Sequence, residues 1–296
     1  MTRPRRGPFT AGEQIQLTDP KGRQHLVVLV VGKQFHTHRG SLALDELIGQ
    51  PDGSVVRSSG GTPYVALRPL LADYTLAMRR GAAVVYPKDA AHIIAFADLF
   101  PGARVLEAGA GSGALSCWLL RGVADYGLVV TYERRADFAE VARRNVEQFF
   151  GGPHPAWRLA VADLATAAVS PAASAQAVTC PADSAATPLA AGGFDRVVLD
   201  MLAPWECLPV VAAALTAGGL ACCYVATTTQ LARIVEALRA EGSFDEPSAW
   251  ESLVRGWHAD GLAVRPEHRM VGHTGFLVTA RRLADGVTPP GRRRRT

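Results

Sequence analysis

Between residues 90 and 240 the chain alternates short runs of apolar and β-branched residues with longer amphipathic stretches. The pattern predicts a helix at 89–99, a strand at 103–107, a helix at 113–122, a strand at 127–132 and a helix at 136–149. It continues with strands at 157–161 and 195–200, a helix at 206–215, a strand at 219–225 and a helix at 228–240. Such alternation implies βαβ units and a mostly parallel sheet with helices on both faces. The last segments, "GWHADGLAVRPE" at 256–267 and "GFLVTARR" at 275–282, read as two strands with no long helix between them, an antiparallel pair at the sheet edge.

Residues 1–65 follow a different rule. "HLVVLVV" at 25–31 is stopped by Gly32 and a polar stretch, and in "SVVRSSGGTPYVAL" Gly60-Gly61 separates two short β-branched runs, a hairpin signal. The expected organisation is a small N-terminal β domain over 1–65 and an α/β, Rossmann-like domain over 66–285. One segment breaks the rhythm: residues 165–193 are rich in Ala, Ser, Thr and Pro and read as a long surface loop or disordered insertion. Residues 286–296 read as a basic disordered tail.

Composition narrows the class. The longest apolar runs fall far short of the ~20 residues that cross a bilayer, and "MTRPRRGPF" is followed by polar residues, unlike a signal peptide. A cytoplasmic protein is expected. The five cysteines are scattered and form no C-x-x-C pair, so no structural zinc is expected; Cys222-Cys223 sit in an apolar run as small hydrophobes. A net charge of +4 permits a polyanionic partner, and the "RRRR" at 292–295 reads as a solvated tail.

The chemistry centres on "RVLEAGAGSGALSCWLL" at 104–120, an apolar strand, an acid, a glycine turn and a helix start. Gly109, Gly111 and Ala114 fit the dinucleotide pattern, while Gly109, Gly111 and Gly113 fit G-x-G-x-G; both let backbone approach a ligand beneath a helix N-terminus. Four acids end the predicted strands: Glu107, Glu133, Asp163 and Asp200. Glu133 lies about 20 residues beyond the glycines, where an acid accepts hydrogen bonds from ribose hydroxyls. Carboxylates at Glu107, Asp163 and Asp200 would repel a pyrophosphate. S-adenosylmethionine carries no phosphate but brings an ammonium and a sulfonium cation, which suit them.

The ordered segments "FHTHRG" (35–40), "RPLLADY" (68–74), "YPKDAAHI" (86–93), "VLEAGAGSGALS" (105–116), "YERRADFAEVARRN" (132–145), "VLDMLAPWE" (198–206) and "GHTGFLVTARR" (272–282) resemble the tRNA (adenine-58-N1) methyltransferases. The resemblance covers most of residues 15–285; the long 165–193 insertion departs from it. It implies a class I S-adenosylmethionine-dependent methyltransferase (Rossmann-like) fold, methylation of N1 of adenine 58 in the T loop of tRNA, and a homotetramer. It also implies that Ser112, Gly113, Ala114 and Leu115 meet the methionine end of the cofactor, with Glu107 and Gly109 in the same turn. By the same carry-over Glu133 holds the ribose, Asp163 accepts from the adenine amine, Phe138 packs on its ring and Tyr86 closes the pocket. Asp200 lies between cofactor and target base, where a carboxylate stabilises positive charge developing on the methylated ring; binding the cofactor's ammonium group is its alternative, compatible role.

Several residues keep a bland reading beside the functional one. Phe138 also fits a buried helix face, Asp89 a plain N-cap, and Trp205 either stacks on substrate or packs beneath it. His36 and His38 share a strand face without a third ligand, so no metal is expected there; Arg39 beside them suits phosphate. Two other functions stay in view, a nicotinamide-dependent oxidoreductase and a non-catalytic tRNA-binding subunit. The first needs phosphate-friendly charge around the turn, the second an eroded turn or a missing strand-end aspartate.

Overall fold

The structure, a computed structural model, describes residues 6–171 and 189–289. The Arg-rich tail and most of the 165–193 insertion lie outside the described residues. The chain divides into two compact units, the first running to Arg79 and including Asn145–His154, the second holding Arg80–Arg144 and the chain from Pro155 onward.

In the first unit β1 (Gln14–Thr18), β2 (Gln24–Val28), β5 (Ser54–Arg57) and β6 (Pro63–Leu67) form an antiparallel sheet in the order β2-β1-β6-β5. A second hairpin pairs β3 (Gln34–Thr37) with β4 (Gly40–Ala43). The Gly60-Gly61 hairpin is present, with Val55 opposite Val65. Ile15 and Leu17 of the central strand, with Phe9, Leu29, Leu42, Leu47 and Tyr64, make the core. Arg68 is buried against Glu13 and donates to the carbonyls of Gly7 and Pro8, so a charge inside this unit is fully partnered. Helix α1 (Leu71–Ala77) is held by Tyr74, whose hydroxyl donates to the Asn145 carbonyl.

The second unit opens with α2 (Pro87–Phe96), followed by β7 (Arg104–Ala108), α3 (Ala114–Val123), β8 (Leu128–Glu133), α4 (Ala136–Phe150), whose residues from Asn145 onward count with the first unit, and β9 (Trp157–Val161). Within the 165–193 segment, expected to be loop throughout, the described ends form two-residue strands, β10 (Val169–Ser170) and β11 (Leu189–Ala190), paired in parallel. Then come β12 (Phe194–Asp200), α5 (Leu208–Ala214), β13 (Leu215–Val225) and α6 (Thr228–Glu241). The last strands are β14 (Ser248–Trp250), β15 (Val254–Asp260), β16 (Ala263–Val271) and β17 (Phe276–Arg281).

The main sheet has the order β14-β17-β13-β12-β7-β8-β9, parallel from β13 through β9 and antiparallel at β17 and β14. This is the doubly wound sheet that the alternation predicts. Its central strands are apolar on both faces because helices cover both: Val105, Leu106, Val129, Val130, Val197, Val198 and Leu199 are all fully buried. The strand order reverses between β7 and β12, and at such a switch point a crevice opens over the carboxyl ends of the strands.

Three local expectations are corrected. The strand beside β17 is β14, not 256–267; β15 and β16 pair only with each other, as an exposed hairpin. Alternation over 256–267 reports a strand but not its partner. The helix expected at 206–215 is a 3-10 turn, Pro204–Cys207, followed by α5, and β13 starts at Leu215, where a bulge takes up Gly218 at φ +77°. Asp89 is not the N-cap of α2, a position that Tyr86 holds.

Candidate active site

A cavity of about 680 Å³ lies over the carboxyl ends of β7, β8, β9, β12 and β13. Of the sequence-predicted residues, Tyr86, Gly109, Glu133, Phe138, Asp163 and Asp200 line it. Glu107, Ser112, Gly113, Ala114 and Leu115 stand behind the lining.

The glycine turn is built by close backbone approaches. Gly109 has φ +91°, and a Cβ there would lie 1.8 Å from the Asp200 carbonyl oxygen. Gly113, at φ +78°, is the N-cap of α3, and a Cβ would come within 2.9–3.0 Å of the Ala142 backbone in α4. Ser112 engages its hydroxyl with the neighbouring 81–82 backbone. It donates to the Ala82 carbonyl at 3.0 Å and accepts from the Gly81 and Ala82 amides at 3.1 and 3.2 Å, pinning the 82–86 wall. Two N–H groups tie the turn to β8, Gly109 donating to the Tyr132 carbonyl and Gly111 to Glu133 Oε2, both at 3.0 Å. The other Glu133 oxygen accepts from the Arg135 amide, so this strand-end acid is aimed by two backbone donors.

Glu107 is wholly buried beneath the turn. Its Oε2 accepts from Ser116 and Thr131 at 2.7 and 2.6 Å, while Oε1 has no partner. Desolvation, with the charge of Glu133, pushes its carboxyl up to about 7, against the hydroxyl hydrogen bonds. Asp200 is raised to about 7 as well, by desolvation first and then by the charges of Glu107 and Glu133. Among the described residues nothing donates to the Asp200 side chain. One region thus holds three carboxylates and a shortage of positive charge.

Asp163 caps the 3-10 turn Leu164–Thr166, accepting from the Ala165 amide at 3.0 Å, and lies 3.5 Å from the Arg134 guanidinium. Arg135 stacks over the Phe138 ring at 3.8 Å and pairs with Asp137, so each of the two arginines at the rim has an acidic partner. Trp205 does not line the cavity; it packs on the core beneath Arg233, which lies 4.1 Å over its ring.

Sequence reasoning missed part of the wall. Tyr224 stands beside Asp200 in the β12–β13 register and, with Thr274, lines the cavity. Both are tied to Asp89: Thr274 donates to Oδ2 at 2.5 Å, Tyr224 to Oδ2 at 3.4 Å, and Ser252 to Oδ1 at 2.9 Å. Lys88 completes this buried cluster, donating to Asp89, Thr274 and the Ser252 carbonyl. Gly275 is small because a Cβ would meet the Tyr224 ring at 2.4 Å. Tyr224 sits in an apolar strand run that reads as core, and only the register brings its ring to the cavity. Leu202 and Gln230 complete the rim. Among the described residues no group of three potential ligands could hold a metal, and His36 and His38 belong to the first unit's β3–β4 hairpin.

The arrangement fits S-adenosylmethionine. A turn of three positive-φ glycines lets backbone come close, a strand-end acid is oriented by two amides, and an under-compensated set of carboxylates calls for a cationic ligand. A pyrophosphate would add negative charge to the same place.

The comparisons agree. Residues 7–56 match the TrmI-like N-terminal family model, and residues 64–150 the model of the tRNA methyltransferase complex GCD14 subunit. The chain is 36% identical over 266 residues to the tRNA (adenine(58)-N(1))-methyltransferase TrmI of Thermus thermophilus, covering 90% of this chain and 95% of that protein. Among solved structures, a SAM-dependent O-methyltransferase of Thermotoga maritima superposes with a TM-score of 0.81 at 29% identity, covering 93% of this chain and 95% of that one. The tRNA (m1A58) methyltransferase TrmI of Aquifex aeolicus gives 0.76 at 27% identity, covering 94% and 100%. With the Rossmann-like fold, the N-terminal β unit and this level of identity in place, the chain belongs to the tRNA (adenine-58-N1) methyltransferase family.

Proposed function

We propose that this protein methylates N1 of adenine 58 in the T loop of tRNA, with S-adenosylmethionine as donor. The observation that carries the reading within the site is Asp200: a desolvated carboxylate at the cavity lining, next to Tyr224, with no hydrogen-bond donor among the described residues. An acidic acceptor left open at that place suits a base whose exocyclic amine becomes acidic when the ring is alkylated.

The bound cofactor supplies an electrophilic methyl group. In this reading Glu133, held by the Gly111 and Arg135 amides, accepts from ribose hydroxyls, and Asp163 from an adenine amine, while Phe138 offers a ring face. Gly109 and Gly111 allow the backbone approach. Glu107, Ser112, Gly113, Ala114 and Leu115 act from behind: they shape the turn, and Glu107 adds negative potential under it. On the substrate side Asp200 accepts the amine N–H of the target adenine. That contact orients N1, stabilises the cationic ring as it forms, and gives the amine proton an acceptor at the Asp200 carboxylate. Tyr86 and Tyr224 supply aromatic walls for an extruded base, whose unstacking costs a few kcal/mol.

The dinucleotide reading loses its ground, since each of the two rim arginines already has an acidic partner. The intact glycine turn and Asp200 support a catalytic chain rather than a scaffolding subunit. No helix among the described residues is long and apolar enough to cross a membrane, which agrees with a cytoplasmic enzyme. A homotetramer is supported by the β15–β16 hairpin, which exposes Trp257, Leu262, Val264 and Met270. The deciding experiment incubates purified protein with unmodified tRNA and methyl-labelled S-adenosylmethionine, identifies the product nucleoside by mass spectrometry and locates it in the oligonucleotide fragments of a ribonuclease digest. Labelled 1-methyladenosine at position 58 upholds the reading; cofactor binding without transfer to tRNA overturns it.

A further inference from the structure

Asp200 leads directly into the turn Met201–Ala203 at the cavity rim, which exposes Leu202. The carbonyl oxygen of Leu202 accepts a hydrogen bond from Gln230 Nε2 at 2.8 Å. Gln230 belongs to a different element, the first turn of α6, and the other end of its amide is also engaged. Oε1 accepts from the Ala226 and Thr227 amides at 3.2 and 3.1 Å, as half of the capping box that Thr227 and Gln230 form. These two donors settle which way the amide faces, because the flipped orientation would set NH2 against N–H.

One side chain therefore clips together the loops leaving β12 and β13, both of which line the cavity. A capping box accepts glutamate as readily as glutamine at this position. Glutamine alone has a donor left for Leu202, so the residue does more than the cap requires.

We propose that Gln230 is a positioning residue of the methyl-transfer reaction: through the Leu202 carbonyl it holds the turn that carries Asp200 at the geometry in which the carboxylate meets the substrate amine. The proposal rests on the functional reading above. A small displacement of a catalytic group lowers turnover far more than it lowers binding, by up to about 10²-fold for 1 Å.

Gln230→Glu separates the two jobs, because it keeps the cap acceptor and sets a carboxylate oxygen against the Leu202 carbonyl. The expected result is an unchanged melting temperature, kcat on tRNA about tenfold lower with KM within about twofold, and faster amide exchange at Met201–Ala203 only. Lowering the pH protonates the new carboxyl and restores a donor, so the variant's kcat relative to wild type recovers. Thr227→Val, which breaks the cap and leaves the clip, lowers stability without lowering kcat. Wild-type kcat in Gln230→Glu, or a deficit that does not respond to pH, overturns the proposal. Should the wild-type protein not methylate tRNA, the functional reading fails, and the exchange experiment still decides: unchanged exchange at 201–203 removes the clip, faster exchange keeps it.

Discussion

Gly109 and Asp200 meet backbone to backbone: the space where a Gly109 side chain would stand is occupied by the Asp200 carbonyl oxygen, 1.8 Å from an ideal Cβ. The glycine turn at the end of β7 and the proposed catalytic acid at the end of β12 are therefore one mechanical object. Gly109→Ala should displace the Asp200 turn and strain a residue at φ +91°. Loss of about 2–4 kcal/mol in urea unfolding, with at least a hundredfold lower kcat, is expected; an alanine variant with wild-type turnover contradicts the coupling.

The burial of Glu107 gives a signed pH dependence. Its folded-state carboxyl is raised to about 7 from an ordinary value near 4.5. The stability it contributes is complete below the unfolded value and is lost as pH rises through about 7. Glu107→Gln removes the buried charge and keeps an acceptor for Ser116 and Thr131. The apo variant should be more stable than wild type at pH 8, by on the order of 3 kcal/mol, and equal to it near pH 4. Thermal scans at the two pH values check this.

The same carboxylates predict how a cationic ligand behaves. Ionised Glu107 and Asp200 attract it, protonated ones do not, so the Kd of S-adenosylmethionine should fall as pH rises from 6 to 8. Titration calorimetry on wild type and Glu107→Gln reads the effect: the slope should flatten in the variant. Identical slopes would place the titrating group elsewhere.

Asp200→Asn keeps the shape and removes the proton acceptor. We expect kcat on tRNA to fall by about 10²–10³-fold, with cofactor binding retained, and the rising limb of the wild-type pH–rate profile near 7 to disappear. A variant that keeps the limb would assign it to another group.

Lys88 and Asp89 form a buried pair at the back of the cavity wall, with side chains 6% and 1% exposed. Lys88→Met leaves the Asp89 carboxylate without its cation. A loss of about 3–5 kcal/mol in denaturant unfolding is the expected outcome, together with weaker activity, because Thr274 and Tyr224 hang on the same carboxylate.

His273 donates from one ring nitrogen toward Glu251 and from the other toward the Ala226 carbonyl, at 2.8 and 2.9 Å. These hydrogen bonds raise its pKa against desolvation and the opposing charge of Lys88. Both bonds need the protonated ring, so the stability they add is present at low pH and is lost as pH rises through the raised pKa. Amide exchange at 272–275 should quicken over that window, and His273→Gln should abolish the pH response.

Much of this protein is a local property of its sequence. The alternation of apolar strand runs with amphipathic helices follows from covering a parallel sheet on both faces, so the order of elements from α2 to α6 was legible, as was the turn at 109–113. The strand-end acids were legible for the same reason, since a strand of known phase places its last residue. Long-range pairing was not. Nothing in the alternation of 256–267 says that it pairs with its own hairpin partner while Ser248–Trp250 takes the place beside β17. Tyr224 reads as core until its register with Asp200 is known, and Asp89 reads as a cap until Ser252 and Thr274, more than 160 residues away, are seen to donate to it. The capping box of α6 is written in four consecutive residues, but the spare amide donor of Gln230 acquires its partner only when folding brings the end of β12 beside it. Periodicity and capping are set by neighbours along the chain; partners across the cavity are set by which strand ends the sheet order brings together.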